Sequence, residues 1–455
     1  MTVDGVGEWA TAAYGEGNGK QVKLFEEVHF PDSLGFLYSM ITSYLGFRVN
    51  NGEYKVMGLA PYGKPIYVDK IQRLIKLGTR GQFQLEMEYF DFLKGKRMYS
   101  DALIELLGHL PRQPETEILQ FHKDVAKSLQ VVLEDILLEK SRYLYERTGL
   151  TNLCMAGGVA LNCVANSKIL KEGPFRELFV QPAASDAGGA VGAAALAYAE
   201  LSGSPGNIVK DNGFKRLEHV YLGPGYSSDE IYKILSSTSL KTKDYRADPD
   251  SLISETAQRL ARGEVLGWFQ GRMEFGPRAL GARSILADPR DPTMRDKINA
   301  MVKKREAFRP FAPVVLEDKA QEHFDIDHPS PFMLETCKVT SKINLPAITH
   351  IDGSARIQTV NKKTNSRFSA LLSHFYRITG CPILLNTSFN IRGQPIVCSP
   401  FDAIICFINT EIDSLVLGDF IIDKTDNSID GLRMLLTYYH NVLQSDLEPN
   451  VYTFI

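Results

Sequence analysis

The 455 residues are 44% hydrophobic and 23% charged, with 51 Lys and Arg against 54 Asp and Glu and a formal net charge of −3. This composition excludes a disordered chain, and the near-neutral balance argues against a general nucleic-acid binder while leaving room for small anions in a local cleft. The length predicts two or three domains; the six dispersed cysteines and the lack of a secretory signal predict free buried thiols in a cytoplasmic protein, and no apolar run approaches the roughly 20 residues that a membrane helix needs.

In chain order, Thr2 and Val3 form a strand that turns at Asp4-Gly5 into a second strand, and this abrupt start predicts that upstream sequence is missing. Asp4 at a strand end suits a metal or phosphate ligand, and equally an Asx turn. Residues 51–63, NGEYKVMGLAPYG, read as a glycine-punctuated loop, suited to closing over a ligand or to linking two helices. Between Glu117 and Thr148, Val125, Leu129, Val132, Leu133, Ile136 and Leu137 recur at helical spacing, predicting a core helix stopped by Gly149, with His122 as a packed or capping residue. A strand over Asn152–Ala156 then runs into Gly157-Gly158 and a helix through Asn162 to Leu170. A second strand, Leu178–Gln181, leads to Ser185-Asp186 and an alanine-rich helix reaching Leu201. Repeated strand, glycine turn and helix predict a parallel α/β sheet that presents backbone amides to phosphate, with Asp186 at a strand's carboxyl end, where such sheets bind ligands.

Ser202–Gly213, polar and rich in Gly and Pro, marks the domain boundary, giving a first domain over 1–205, a linker over 206–220 and a second domain over 221–455. There a helix over Leu252–Gly263 and a strand over Val265–Phe269 deliver the segment Gly271–Arg309, with seven Arg and three Lys against five acidic residues, hence 10 − 5 = +5. Arg272, Arg278 and Arg283 among Gly271, Gly276 and Gly281 suit a floor for phosphates or carboxylates, since guanidinium forks and unencumbered amides both grip anions. The stretch after Met294 also has the spacing of a solvated helix face. Arg356 after a Gly-Ser turn is a further candidate. Asn386-Thr387-Ser388-Phe389-Asn390, at the end of a strand over Pro382–Leu385, suits a nucleotide or acyl phosphate, and Leu415–Ile422 reads as a closing strand.

Taken together, GGVALNCVAN at 157–166, GRMEFGPRALGARSIL at 271–286, KKREAFRPFAPV at 303–314, HIDGSARIQTV at 350–360 and NTSFNIRGQPIV at 386–397 resemble the O-carbamoyltransferases of antibiotic and nodulation-factor biosynthesis. The resemblance covers nearly the whole chain in order. It implies an actin/Hsp70-like ATPase-fold domain, here incomplete at its amino terminus, followed by a threonylcarbamoyl-adenylate-synthase-like α/β domain. The rear domain would make carbamoyl adenylate from carbamoyl phosphate and ATP, and the front domain would pass the carbamoyl group to a small-molecule hydroxyl acceptor. By this resemblance Arg278, Lys303 and Arg309 are catalytic, with Arg356 and Ser388 lining the same site and Arg272, Arg305 and Asn386 close by. In front, Gly157, Gly158 and Asn162 match nucleotide contacts, and Asp4 and Asp186 match ligands of a divalent metal, whether iron, manganese or magnesium. Family members complete that metal site with two histidines from an upstream motif, to which His29, His109 and His122 do not correspond. The resemblance is compatible with a homodimer. Two narrower readings stand beside it: an enzyme confined to the adenylation half-reaction, and a nucleotide-binding fragment or subunit without catalysis.

Overall fold

In the computed structural model the described residues are 1–427 without Lys20, Lys96, 202–216, 304–307 and Pro310; of Lys303 only the backbone is described. The predicted linker therefore lies mostly outside the described residues. The chain forms two lobes, each with its own hydrophobic core.

The front lobe opens with the antiparallel strands β1 (Thr2–Gly7), β2 (Ala10–Asn18) and β3 (Gln21–His29). The expected turn at Asp4-Gly5 is instead a bulge within β1, and the chain reverses at Glu8-Trp9. The physical reason is that β1 is held on both edges: Val3 pairs with Ala12 on one side, and its N–H donates to the Ala156 carbonyl at 2.9 Å on the other. Through that contact β1 runs parallel to the edge of β6 (Asn152–Met155), which pairs in parallel with β7 (Glu177–Val180). The result is a mixed sheet in the order β3-β2-β1-β6-β7, not the wholly parallel one expected. Bulges of this kind redirect side chains beside functional sites.

Helices α1 (Leu34–Tyr44) and α2 (Glu53–Leu59) follow. The predicted loop over 51–63 is mostly helical, because Val56 and Leu59 face the core at helical spacing while the Glu53 carboxylate accepts the Asn50 and Gly52 N–H groups. Two short helices, α3 (Val68–Gln72) and α4 (Asp101–Leu107), and the hairpin β4 (Ile75–Leu77) and β5 (Phe83–Leu85) lead to α5 (Gln120–Thr148). Its apolar stripe is buried as expected, and Gly149, at φ 67°, terminates it in the left-handed conformation. Beyond β6 come α6 (Cys163–Glu172) and α7 (Asp186–Leu201).

The rear lobe is an eight-stranded mixed sheet in the order β14-β11-β15-β10-β9-β16-β17-β8. Its strands are β8 (Lys243–Asp244), β9 (Leu266–Phe269), β10 (Arg283–Ala287), β11 (Ala312–Leu316), β14 (Gln358–Val360), β15 (Ile383–Ser388), β16 (Ser414–Leu417) and β17 (Phe420–Asp423). The expected closing strand over 415–422 is thus a hairpin, turned at Gly418. Helices α8 (Pro249–Ala261) and α9 (Ser366–Thr379) cover the sheet. A separate hairpin, β12 (Thr336–Lys338) with β13 (Ser354–Arg356), lies against α6 of the front lobe, where the Thr336 N–H donates to Ser167 Oγ at 2.7 Å. Asn166 donates to the Leu334 carbonyl at 2.9 Å and Lys171 pairs with Asp325 at 3.2 Å across the same seam. Among the described residues no helix is long and apolar enough to cross a membrane. The cysteines are all free, but Cys154 is exposed and Cys398 only half-buried.

At the head of α5 the His122 ring accepts the Leu119 N–H at 2.9 Å. Burial first, then the Arg112 cation and His109, push His122 from 6.5 down to about 4. A base held neutral by the fold contributes stability that is complete above about pH 6.5 and fades as the pH falls toward 4. His122→Gln keeps an acceptor at this position without the titration. We expect melting temperatures of the two proteins to diverge on acidification from pH 6.5 to 4, the variant losing less; parallel curves would refute the assignment.

Candidate functional site

The loop between β9 and β10 carries the densest of the predicted motifs, and its shape is set by a residue that the sequence reading passed over. Glu274 is buried, and one carboxylate oxygen accepts the backbone N–H of Leu280 at 2.6 Å, Ala282 at 2.8 Å and Arg283 at 3.4 Å. Burial pushes its pKa up, against the pull of these amides. A signal was present: it is the one acid among the cations of Arg272 to Arg283. The loop's carbonyls are held as well. Trp268 Nε1 donates to Gly281 at 2.9 Å, Gln358 and the Tyr221 hydroxyl both donate to Leu280 at 2.8 Å, and Asn386 donates to Ala279 at 3.2 Å. Gly281 has φ 102°, and a Cβ there would lie 2.2 Å from the Phe368 ring, so no other residue fits.

This clamp sorts the three arginines. Arg283 is fully buried and donates to the carbonyls of Gln270, Ala282, Pro224 and Gly271, with its guanidinium 3.5 Å from the centre of the Phe269 ring. It is a structural brace, not part of an anion floor. Arg272 is exposed and bonds the carbonyls of Gly223 and Leu222, so it ties the entry of the rear lobe to the loop instead of standing beside Arg278. Arg278 alone projects to the seam. There Gly276 abuts the Pro182 carbonyl of the front lobe, and Arg278 lies within electrostatic reach of Tyr54 on α2 and Cys163 at the start of α6.

Arg356, the last residue of β13, meets Arg278 at the same place. Both side chains are half-buried, both have a buried Nε without an acceptor, and neither has a carboxylate partner among the described residues. Burial first, then Arg356, pushes Arg278 down to about 9; burial lowers Arg356 too, and Arg309 adds to the effect. Arg309 packs its guanidinium 4.7 Å from the centre of the Tyr54 ring. The structure therefore brings Arg278, Arg309 and Arg356 together, at the amino-terminal end of α6, whose dipole also favours an anion. Like charges crowded away from water repel one another, and a bound polyanion is what would relieve them.

Other predicted residues stand apart. Asn386 is buried in β15, its amide nitrogen donating to Gln358 at 2.8 Å, while its Oδ1 has no partner. The Ser388 hydroxyl donates to Asn390 at 2.6 Å. Lys303 ends a π-helical turn over Asn299–Lys303, and Arg305 lies outside the described residues. His350 is a neighbour that the sequence reading did not single out. It donates or accepts at Ser354 Oγ, its Nε2 is buried without a partner, and burial lowers it to about 4.

In the front lobe, Gly157 at φ 94° is required by packing, since a Cβ would lie 2.1 Å from the Val3 carbonyl; its N–H donates to the Ala184 carbonyl. The Gly158 N–H donates to Asp4 Oδ1 at 2.9 Å. Asn162 caps α6 through the Ala165 N–H and exchanges two hydrogen bonds with Gln130, so its polar atoms are turned inward and not offered to a nucleotide. Asp186 is exposed in the first turn of α7, six residues past the end of its strand. It lies close enough to Asp4 to raise that carboxyl's pKa, after the larger effect of burial and against the Gly158 and Gly5 amides. A cation would relieve this repulsion, yet among the described residues no three His, Cys, Asp or Glu side chains gather to hold one. Asp4 and Asp186 by themselves are an incomplete donor set for a metal ion.

Comparison with known proteins identifies the family. Residues 1–195 match the family model described as carbamoyltransferase N-terminus, and residues 257–424 match that described as carbamoyltransferase C-terminus. Nodulation protein NolO of Bradyrhizobium diazoefficiens is 42% identical over 441 residues, covering 94% of this chain and 76% of that protein. Nodulation protein NolNO of Sinorhizobium fredii is 42% identical over 445 residues, 96% of this chain and 62% of the relative. An uncharacterized protein of Synechocystis, sll1178, is 47% identical over 449 residues, 93% of this chain and 72% of the relative. The chain therefore spans about two thirds to three quarters of the length of these proteins.

The arginine cluster and its clamp should respond oppositely to truncation. Glu274→Ala leaves three loop amides without an acceptor, and equilibrium denaturation should show a loss of roughly 3 kcal/mol. Arg278→Ala removes one of two crowded, unpaired charges, and the ligand-free protein should gain roughly 1 kcal/mol. Equal destabilisation by both would mean that Arg278 is a brace like Arg283.

Proposed function

Because this chain belongs to the carbamoyltransferase family, we propose that its rear lobe activates carbamoyl phosphate with ATP and that the carbamoyl group then passes to a hydroxyl of a small-molecule acceptor. The observation that carries the reading is the meeting of Arg278 and Arg356 at the seam, with no carboxylate to neutralise either among the described residues. Two fixed cations, with Arg309 beside them, suit ligands that bring several negative charges, and the triphosphate and the acyl phosphate both do.

The chemistry follows from atom balance. To yield carbamoyl adenylate and pyrophosphate, carbamoyl phosphate must release inorganic phosphate with one water, and the resulting carbamate oxygen attacks the α-phosphorus of ATP. Negative charge builds on the phosphate oxygens as the α–β bridge breaks, which is where immobile guanidinium groups lower the barrier most. Arg278 and Arg356 would hold those oxygens, Arg309 would be fixed by the Tyr54 ring, and Lys303, at the end of the π-helical turn, and Arg305, two residues further on in sequence, would add charge. The buried Asn386 Oδ1 and the Ser388 hydroxyl would serve as hydrogen-bonding groups near the acyl end. In the second step the acceptor oxygen attacks the carbamoyl carbon, its proton is lost and AMP leaves.

The front lobe's mixed sheet supports the reading of that lobe as actin/Hsp70-like, and Asp4 with Asp186 would supply two ligands to a divalent metal that positions phosphate. A narrower reading, adenylation without transfer, is favoured by one observation: the rear lobe brings three arginines together, whereas the front lobe's aspartate pair has no third ligand among the described residues.

The test follows pyrophosphate from purified protein supplied with ATP, with and without carbamoyl phosphate. Release that requires carbamoyl phosphate is expected, and Arg278→Ala should lower it by about 100-fold or more, a loss of about 3 kcal/mol. Undiminished release by a folded Arg278→Ala would overturn the site. Appearance of carbamoylated product with a polyhydroxy acceptor separates full transfer from adenylation alone.

A further inference from the structure

The front lobe holds a second site that takes no part in the arginine cluster. A half-open cavity of about 550 Å³ is lined by Phe25, Glu26, Arg80, Gln82, Tyr143 and Arg147, from β3, from the turn entering β5 and from the end of α5. Arg80 stands in that turn with φ 59°, a conformation rare outside glycine, immediately before Gly81. Arg147 lies over the Phe25 ring at 5.2 Å. Neither arginine has a carboxylate partner among the described residues, although Glu26 lines the same cavity. One oxygen of Glu26 accepts the Tyr143 hydroxyl; the other, Oε2, is buried and has no hydrogen-bond donor among the described residues. Just beneath, Lys140 is buried without an acidic partner, its ammonium spent on the Tyr14 hydroxyl and the Gly81 carbonyl and facing the Phe83 ring at 4.4 Å.

The cavity therefore shows two complementary deficits. Arg80 and Arg147 are exposed and have no carboxylate partner among the described residues, while the buried Glu26 Oε2 has no donor among them, and the three are not joined to one another. We propose that this cavity binds a small molecule with an anionic group at one end, taken by Arg80 and Arg147, and an ammonium at the other, taken by Glu26 Oε2. The Phe25 ring and the Tyr143 ring would flank the carbon skeleton between them. Such a ligand supplies both missing partners at once, and the strained backbone at Arg80 serves to aim its side chain at the anion.

The test uses the whole chain and reads each arginine separately. Phenylglyoxal modifies accessible guanidinium groups, and peptide mass spectrometry gives the rate at Arg80 and at Arg147 independently of Arg278 and Arg356. Two probes divide the site: inorganic phosphate, which has only the anion, and phosphoethanolamine, which adds the ammonium. Phosphoethanolamine should protect both arginines at roughly tenfold lower concentration than phosphate, the difference expected of one charge-assisted hydrogen bond. Glu26→Gln should erase that difference while leaving protection by phosphate in place, which also shows that the variant is folded. Failure of both probes to protect Arg80 and Arg147, or equal protection by the two in the unaltered protein, would overturn the proposal.

Discussion

A single carboxylate oxygen organises the rear lobe's functional loop. With Glu274 buried and three backbone N–H groups converging on it, the chain between Leu280 and Arg283 has no freedom to relax toward solvent. The charge is compensated locally, since Arg283 lies near enough to feel it while spending its own donors on four carbonyls. The rest follows as geometry. Once the polar groups from Ala279 to Arg283 are bound to Trp268, Gln358, Tyr221, Asn386 and Glu274, the side chain of Arg278 is the one that leaves the loop. A guanidinium on a loose loop could swing into water and lose its repulsion with Arg356; on this loop it cannot do so without unmaking the clamp.

That rigidity explains how an unfavourable arrangement persists. Two partly desolvated cations side by side are costly in a medium of reduced dielectric, and a surface ion pair returns too little to offset them. The compensation is spread through the fold, in the buried sheet beneath and in the α8–α9 layer over it. Strain of this kind is kept where a ligand removes it. The contrast with Arg259 is instructive: it too is buried, but it meets Asp423 and Ser414 directly and has nothing left to offer a ligand. Arg259 has its partner inside the fold, and Arg278 has no carboxylate among the described residues.

Much of the architecture was legible from local pattern. The long helix α5, its glycine stop, the alternation of strand and helix and the concentration of arginine all rest on contacts near in sequence, which periodicity and composition report. What was not legible depends on contacts far apart in the chain. Gly157-Gly158 read as a phosphate turn because a strand, two glycines and a helix have that look, yet Gly157 is glycine to let the Val3 carbonyl approach, 154 residues away. Asn162 looked like a ligand contact until Gln130 on another helix claimed its amide. Arg283 differs from Arg278 only in what lies opposite, and no spacing rule distinguishes them. Residues 51–63 read as a loop from their glycines, although Val56 and Leu59 already carried the helical signal. The Glu274 clamp was missed for the opposite reason: a lone acid in a basic segment looked like charge balance, when its isolation was the clue.

On the proposed reading, the position of Arg356 would tie ligand binding to the docking of the two lobes. It ends β13, which is paired to β12, and β12 is fastened to α6 of the front lobe through Thr336 and Ser167. Arg278 approaches the same helix from the loop whose Gly276 abuts Pro182. An anion held by both arginines therefore touches, through them, a seam built from both lobes. By linkage, whatever binds more tightly when the seam is closed must favour closure by the same factor. Among the described residues the seam is carried by the Asn166–Leu334 and Thr336–Ser167 hydrogen bonds, the Lys171–Asp325 and Arg392–Glu115 pairs, the contacts of Arg309 with Tyr54 and of Phe308 with Tyr62, and Leu334, Phe308 and Phe332 packed on the front core. Arg278 and Arg356 both belong to the rear lobe, so their repulsion acts within it, and an anion between them would be felt by the front lobe only through its contacts with Tyr54 and the start of α6.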